Sequence, residues 1–124
     1  MQGFVGNIEK LTLDNKNYRR VLFTGPHAQL VVMRLLPGEE IGLEVHDTHD
    51  QFFRLEAGEC KIIMDGKEFA LKDGMAAIVP AGVKHNVINS SKTQELKLYT
   101  IYSPAEHPPG TVHATKAEAE KAHH

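Results

Sequence analysis

Two imidazoles three residues apart, with a carboxylate two residues before the first, lie in the stretch GEEIGLEVHDTHDQFFRLEAG, residues 38–58. Glu44, His46 and His49, with the amide of Gln51 just beyond, are of the types that bind divalent transition metals through nitrogen and oxygen. In an extended segment successive side chains alternate between faces. Over Leu43–His46, Glu44 and His46 therefore share one face, and Leu43 and Val45 take the other. A carboxylate and an imidazole facing an interior are costly to bury unless something pairs them, and a shared ion is one such partner. On the next extended segment Gln51, Phe53 and Leu55 share a face, which places Gln51 to add a carbonyl oxygen. A further imidazole, His85, opens a later segment directly after the turn Pro80-Ala81-Gly82. His49 falls in the turn Asp47-Thr48-His49-Asp50, where side chains usually face water, and is expected outside the site. Asp47 and Asp50 read as turn formers.

The elements that must position these residues are short strands. Turn signals at Thr24-Gly25-Pro26, Pro37-Gly38, Ala57-Gly58-Glu59, Asp65-Gly66, Asp73-Gly74 and Pro80-Ala81-Gly82 separate runs rich in β-branched and apolar residues. That spacing predicts an all-β sandwich or barrel. Asp65-Gly66 between Lys61–Met64 and Lys67–Leu71 predicts a two-residue hairpin. Further strands are expected at Arg20–Phe23, Gln29–Leu35, Leu43–His46, Gln51–Leu55, Ala76–Val79, His85–Asn89 and Leu96–Tyr102. No helix is expected between Gly3 and Ser103. Beyond Ser103, Pro104, Pro108 and Pro109 interrupt regular structure, and Thr115–Ala122 is rich in helix formers, with Thr111 or Thr115 as candidate N-cap. So short a helix must dock or fray. The expected organisation is one domain over residues 1–103 and a Pro-rich turn with a short tail over 104–124.

Composition bounds the function classes. The chain has 124 residues, 41% of them apolar and 24% charged, with a formal charge of -2. That suits one globular domain and carries no basic surplus for nucleic acid or an anionic membrane. One cysteine, Cys60, precludes an intrachain disulfide and fits a reducing compartment. The first residues lack a charged and then apolar leader, and no apolar run reaches membrane-spanning length. A cytoplasmic protein without membrane or nucleic-acid partners is expected. Of the eight histidines, His123 and His124 end the chain and are set aside.

Two spaced patterns resemble the motifs of the cupin superfamily, G-x5-H-x-H-x4-E-x6-G and G-x5-P-x-G-x2-H-x3-N. The second is matched at every fixed position, by Gly74, Pro80, Gly82, His85 and Asn89. The first is matched in spacing from Gly38 to Gly58. Glu44 stands where the first histidine belongs, His46 is the second, and Gln51 replaces the glutamate. The resemblance implies a double-stranded β-helix, or jelly roll, and a metal inside the barrel held from the positions of Glu44, His46, Gln51 and His85. Instead of three histidines and a glutamate, this chain offers two histidines, a carboxylate and a neutral amide. Such a set suits Fe(II), Mn(II), Ni(II) or Zn(II). Glu44, His46 and His85 supply the atoms of a two-histidine, one-carboxylate triad. Gln51 is either a fourth ligand or a group that orients a bound water. A hydrogen-bonded polar cluster without an ion is the alternative.

Three functions follow: a metal-dependent enzyme of dioxygenase or isomerase type acting on a small molecule in the barrel, a non-catalytic metal or metabolite binder, or a structural partner domain. A homodimer paired through an edge strand at Phe4–Ile8 is compatible with each. No inward arginine or lysine is evident near the motifs, which disfavours a sugar phosphate. Cys60 lacks a local base and reads as a structural thiol. Tyr99 and Tyr102 lie on opposite faces of one strand, and either one lines the pocket or both pack. Arg54 should face away from Gln51, and Met33 rather than Arg34 should point inward. The turn at Pro108-Pro109-Gly110 would let His107 and His113 fold back over the barrel mouth, against the plainer reading of an exposed tail.

Overall fold

Alternating apolar runs between tight turns give nine strands and two short helices among the described residues. The structure, a computed structural model, describes residues 2–122. In chain order the elements are α1 (Ile8–Asp14), β1 (Arg19–Thr24), β2 (Gln29–Leu35), β3 (Asp50–Ala57), β4 (Glu59–Met64), β5 (Lys67–Lys72), β6 (Ala76–Val79), β7 (His85–Asn89), β8 (Leu96–Ser103), β9 (Val112–His113) and α2 (Lys116–Ala122). One sheet has the order β6-β3-β8-β2-β1-β9 and the other β5-β4-β7, the double-stranded β-helix expected from the motifs. Both sheets contribute to one core: Val31, Met33 and Leu35 of β2, Phe53 and Leu55 of β3, Ile62 of β4, Val87 of β7, and Leu96 and Leu98 of β8. The side-chain period of two fixes this register, because a one-residue slip would turn each of these faces to water.

Met33 points inward as expected. Arg34 points outward to Glu95, at 3.3 Å, and Arg54 lies outside beside Glu56, at 3.2 Å. The β4–β5 hairpin turns at Asp65 and Gly66, with φ of 48° and 83°. Gly58 of the first motif has φ of 92°, and a Cβ there would sit 2.6 Å from the Glu95 carbonyl oxygen, so only glycine fits. Asn89 of the second motif is a structural clamp. Its amide nitrogen donates to the carbonyls of Leu35, Leu36 and Gln94, and its oxygen accepts from the Ser91 N–H.

Three expectations are corrected. Leu43–His46 is not a ladder strand. Residues 39–46 run along the open edge of β7 and meet it at the isolated bridges Glu40↔Ile88 and Glu44↔His85 rather than in a continuous ladder. Between them Gly42 has φ of 108° and gives its N–H to Asn86 Oδ1, which interrupts the ladder. The alternation of faces survives, with Leu43 and Val45 exposed. Phe4–Ile8 is not an edge strand, so the expected dimer contact loses its element. Asn7 accepts a hydrogen bond from the Lys10 N–H and caps α1, a helix in a region where none is expected. This helix packs on β8, β3 and β2 and buries Thr12.

The tail folds back. β9 pairs with β1, and α2 is preceded by Thr115, whose Oγ1 accepts from the Glu118 N–H at 3.2 Å. Glu118 in turn accepts from the Ala114 N–H at 2.7 Å, and Ala119 is buried, so α2 is docked. His123 and His124 lie outside the described residues.

Candidate metal centre

Glu44 and His85 meet first through the backbone. Each donates its N–H to the other's carbonyl at 2.9 Å, which makes them directly opposed across two chains. Opposed residues project to the same face, so the pairing itself puts the carboxylate beside the imidazole. His46 follows two residues later on that face. Its Nε2 is 3.7 Å from Glu44 Oε2, and its ring centroid is 5.4 Å from that of His85. Ligand atoms of Glu44, His46 and His85 all lie within 4.8 Å of one another. Two donors bound at about 2.1 Å to one ion are about 3–4 Å apart, so this spacing suits a shared divalent cation.

Protonation follows from the partners. His85 Nδ1 is 3.0 Å from the Val83 carbonyl oxygen, which only accepts. Nδ1 therefore carries the hydrogen, and the lone pair is on Nε2, which is buried without a hydrogen-bond partner. This is how metal-binding histidines are oriented. Burial lowers the His46 pKa to about 4, helped by the neighbouring His49, His85 and Arg19, so its ring is neutral at pH 7. Its Nε2 also lacks a hydrogen-bond partner. Gln51, fully buried on β3, donates through Nε2 to Thr100 Oγ1 at 3.0 Å and leaves Oε1 buried and unpaired. Two imidazole nitrogens are thus held dry and unsatisfied near a carboxylate. A metal-free polar cluster would leave both nitrogens desolvated, at about 1–3 kcal/mol each, a cost that a shared ion would offset.

The structure adds residues that the motifs do not contain. His49, expected in solvent, is buried and stacked on His46 at 4.5 Å between ring centroids. The bend is confined to Asp47 and Thr48, so His49 already has the parity of Gln51, Phe53 and Leu55, a signal that the sequence carried. Glu106 reaches in from the segment after β8. Its Oε2 is 2.9 Å from His49 Nε2 and 3.4 Å from His46 Nδ1, and His46, His49 and Glu106 form a second group of metal-binding type. The 2.9 Å approach lacks hydrogen-bond geometry, since His49 Nε2 has no such partner. No motif marks Glu106. It is delivered by Gln29, whose buried amide accepts from the Glu106 and His107 N–H groups and donates to the His107 carbonyl at 2.7 Å.

Tyr102 lies edge-on to His46, His49 and His107, whereas Tyr99 packs outside on Phe52. Burial raises the Tyr102 pKa, so the phenol keeps its proton. His107 Nε2 is 3.4 Å from its hydroxyl, and His113 Nδ1 is 3.5 Å from Arg19 Nη1, so both tail histidines fold back over the barrel. Arg19 corrects the expectation of no inward cation. It is buried at the start of β1, one residue before the strand read from the sequence, on the same face as Val21. Cys60 is buried with its thiol pushed up to about 12, as a structural cysteine would be.

Among the described residues no helix is long and apolar enough to cross a membrane. The chain is 47% identical over 122 residues to protein L612 of Acanthamoeba polyphaga mimivirus, covering 95% of this chain and 76% of that one. It is 48% identical over 122 residues to protein YrkC of Bacillus subtilis, covering 94% of this chain but only 65% of that protein's length. It is also 31% identical over 101 residues to a quercetin 2,3-dioxygenase of Bacillus subtilis, covering 69% of this chain and 30% of the enzyme. The crystal structure of BH2720 from Bacillus halodurans superposes with a TM-score of 0.94 at 44% identity, covering 97% of this chain and 95% of that one. The Cupin_2 family model, described as the cupin domain, matches residues 31–102, which hold both motifs and every residue of the Glu44–His46–Gln51–His85 set. On motifs, fold and family match together, the chain belongs to the cupin family.

Proposed function

We propose that this chain is a metal-dependent cupin enzyme that holds one divalent ion through Glu44, His46 and His85, with Gln51 beside them, and oxygenates a small organic molecule bound in the barrel. The observation that carries the reading is the pair of buried imidazole nitrogens without hydrogen bonds, His46 Nε2 and His85 Nε2, beside the Glu44 carboxylate. Two histidines and a carboxylate are the donors of non-haem Fe(II) oxygenases, in which the metal supplies dioxygen activation and open positions. The similarity to a quercetin 2,3-dioxygenase supports the same direction. His85 keeps its orientation through the Val83 carbonyl. Tyr102, protonated and buried, is available as a hydrogen-bond donor. The segment bearing Glu106 and His107 covers one side of the site and limits water there.

The test is oxygen consumption by protein loaded anaerobically with Fe(II), then mixed with small phenols and diketones. Uptake that depends on both substrate and metal is expected. Metal-loaded protein that consumes no oxygen with any of them overturns the oxygenase. A second reading, a non-catalytic metal-binding cupin, is favoured by Glu106. A binder keeps its ion in a filled shell, and the second donor group on the Nδ1 side of His46 brings a further imidazole and carboxylate close to the site. Water relaxation by Mn(II)-loaded protein separates the two, because a filled shell exchanges no bound water.

A further inference from the structure

Arg19 is 3% exposed, and its Nε is buried without a hydrogen-bond partner. A guanidinium has five N–H donors in a fixed fork. Here the described contacts are a 3.5 Å approach to His113 Nδ1 and the face of Tyr18, 5.2 Å from the guanidinium carbon to the ring centroid. A buried charge so weakly satisfied is costly. Arg19 lines a cavity of about 250 Å³ with Tyr18, Ile41, Glu44, Lys116, Ala119 and Glu120. The same cavity is therefore lined by Arg19, with its unpaired Nε, and by the carboxylate of the metal centre.

Formal charge selects the occupant. Glu44 and Glu106 contribute two negative charges, Arg19 one positive, and a divalent ion two positive, which leaves one net positive charge. Lys116 is paired with Glu120 at 3.7 Å and cancels. One anionic group of single charge balances the site, and a phosphate dianion overshoots it beside Glu44. The fork geometry of arginine matches a carboxylate bidentately. A volume below the roughly 300–1,000 Å³ of drug-sized pockets restricts the occupant to a small molecule. Tyr18 and Ile41 provide apolar wall for its body.

We propose that this cavity binds a small monocarboxylate, with Arg19 gripping the carboxylate and the remainder of the molecule directed toward Glu44 and the metal. This deepens, and rests on, the metal-centre reading. Arg19 is then the residue that sets substrate class.

The experiment compares acid and amide pairs on Zn(II)-loaded protein, after its zinc content has been measured: benzoate with benzamide, glycolate with glycolamide, pyruvate with pyruvamide. Calorimetry should show the acids binding at least tenfold more tightly than their amides. The Arg19 Nε–H resonance should shift with acids only. Arg19→Gln should abolish the preference with zinc content unchanged, and Arg19→Lys should retain part of it. If Arg19→Gln does not fold, the wild-type resonance decides alone. Equal affinities within the pairs, an unmoved Nε–H signal, a preference that persists in Arg19→Gln, or tighter binding of inorganic phosphate than of every acid overturns the proposal. Wild-type protein that takes up none of Zn(II), Mn(II), Fe(II) and Ni(II) overturns the metal centre instead. The pairs are then compared on metal-free protein, where equal affinities overturn the Arg19 site as well and a persisting preference supports it.

Discussion

His46 joins the two halves of the centre, with Nε2 toward Glu44 and Nδ1 toward Glu106. Its pKa is lowered from 6.5 to about 4, chiefly by burial. The folded protein therefore binds fewer protons than the unfolded chain between those values, and stability rises with pH across that window. For metal-free protein, the contribution of His46 is full above about pH 6.5 and is lost as pH falls toward 4. Melting temperatures at pH 7, 5.5 and 4.5 should fall steadily for wild type and less steeply for His46→Gln; parallel curves would show that His46 is not the group responsible. At this scale the sequence was informative wherever parity applied. Glu44 and Gln51 were placed by alternation and by motif spacing. His49 and Arg19 obey the same alternation but lie outside the expected strands, His49 two residues before Gln51–Leu55 and Arg19 one residue before Arg20–Phe23. Glu106 obeys no local pattern, because its position depends on Gln29, seventy-seven residues away in sequence.

The elements that carry the site are held by a few irregular positions. Gly58 combines left-handed backbone with a close approach to the Glu95 carbonyl. Gly58→Ala should destabilise by about 2–4 kcal/mol, from backbone strain and the clash together, visible as a lower urea midpoint with unchanged slope; a change within about 0.5 kcal/mol would mean that the β3–β4 corner relaxes freely. Gln29 pins the segment after β8. Gln29→Leu removes the amide at similar size and strands the Glu106 and His107 N–H groups. Limited proteolysis should then cut within residues 104–111 faster than in wild type, and equal cutting rates would place the anchor elsewhere. The strands were legible from apolar alternation and turn residues. Leu43–His46 reads as a strand because its alternation is genuine, whereas Gly42 just before it, bonded to Asn86, breaks the ladder. Helix α1 escaped notice because seven residues hold too little periodicity to compete with the β-rich texture around it.

For the molecule as a whole, a metal that binds only the folded barrel must stabilise it. At free metal one hundred times the dissociation constant the gain is about 2.7 kcal/mol. The fold was legible because two motifs about half a chain long fix where the chain turns and which strands oppose. The ligand chemistry was legible only in part, because the groups beyond the motifs come from β1 and the tail. The central claim is that Glu44, His46 and His85 share one divalent ion. Its most direct test is calorimetric titration of untagged, metal-free protein with Mn(II), Fe(II), Ni(II) and Zn(II), alongside Glu44→Ala and His85→Ala. One equivalent should bind to wild type, and each substitution should weaken binding at least tenfold. Absence of uptake of all four metals by wild type, or unchanged affinity in both variants, would contradict it.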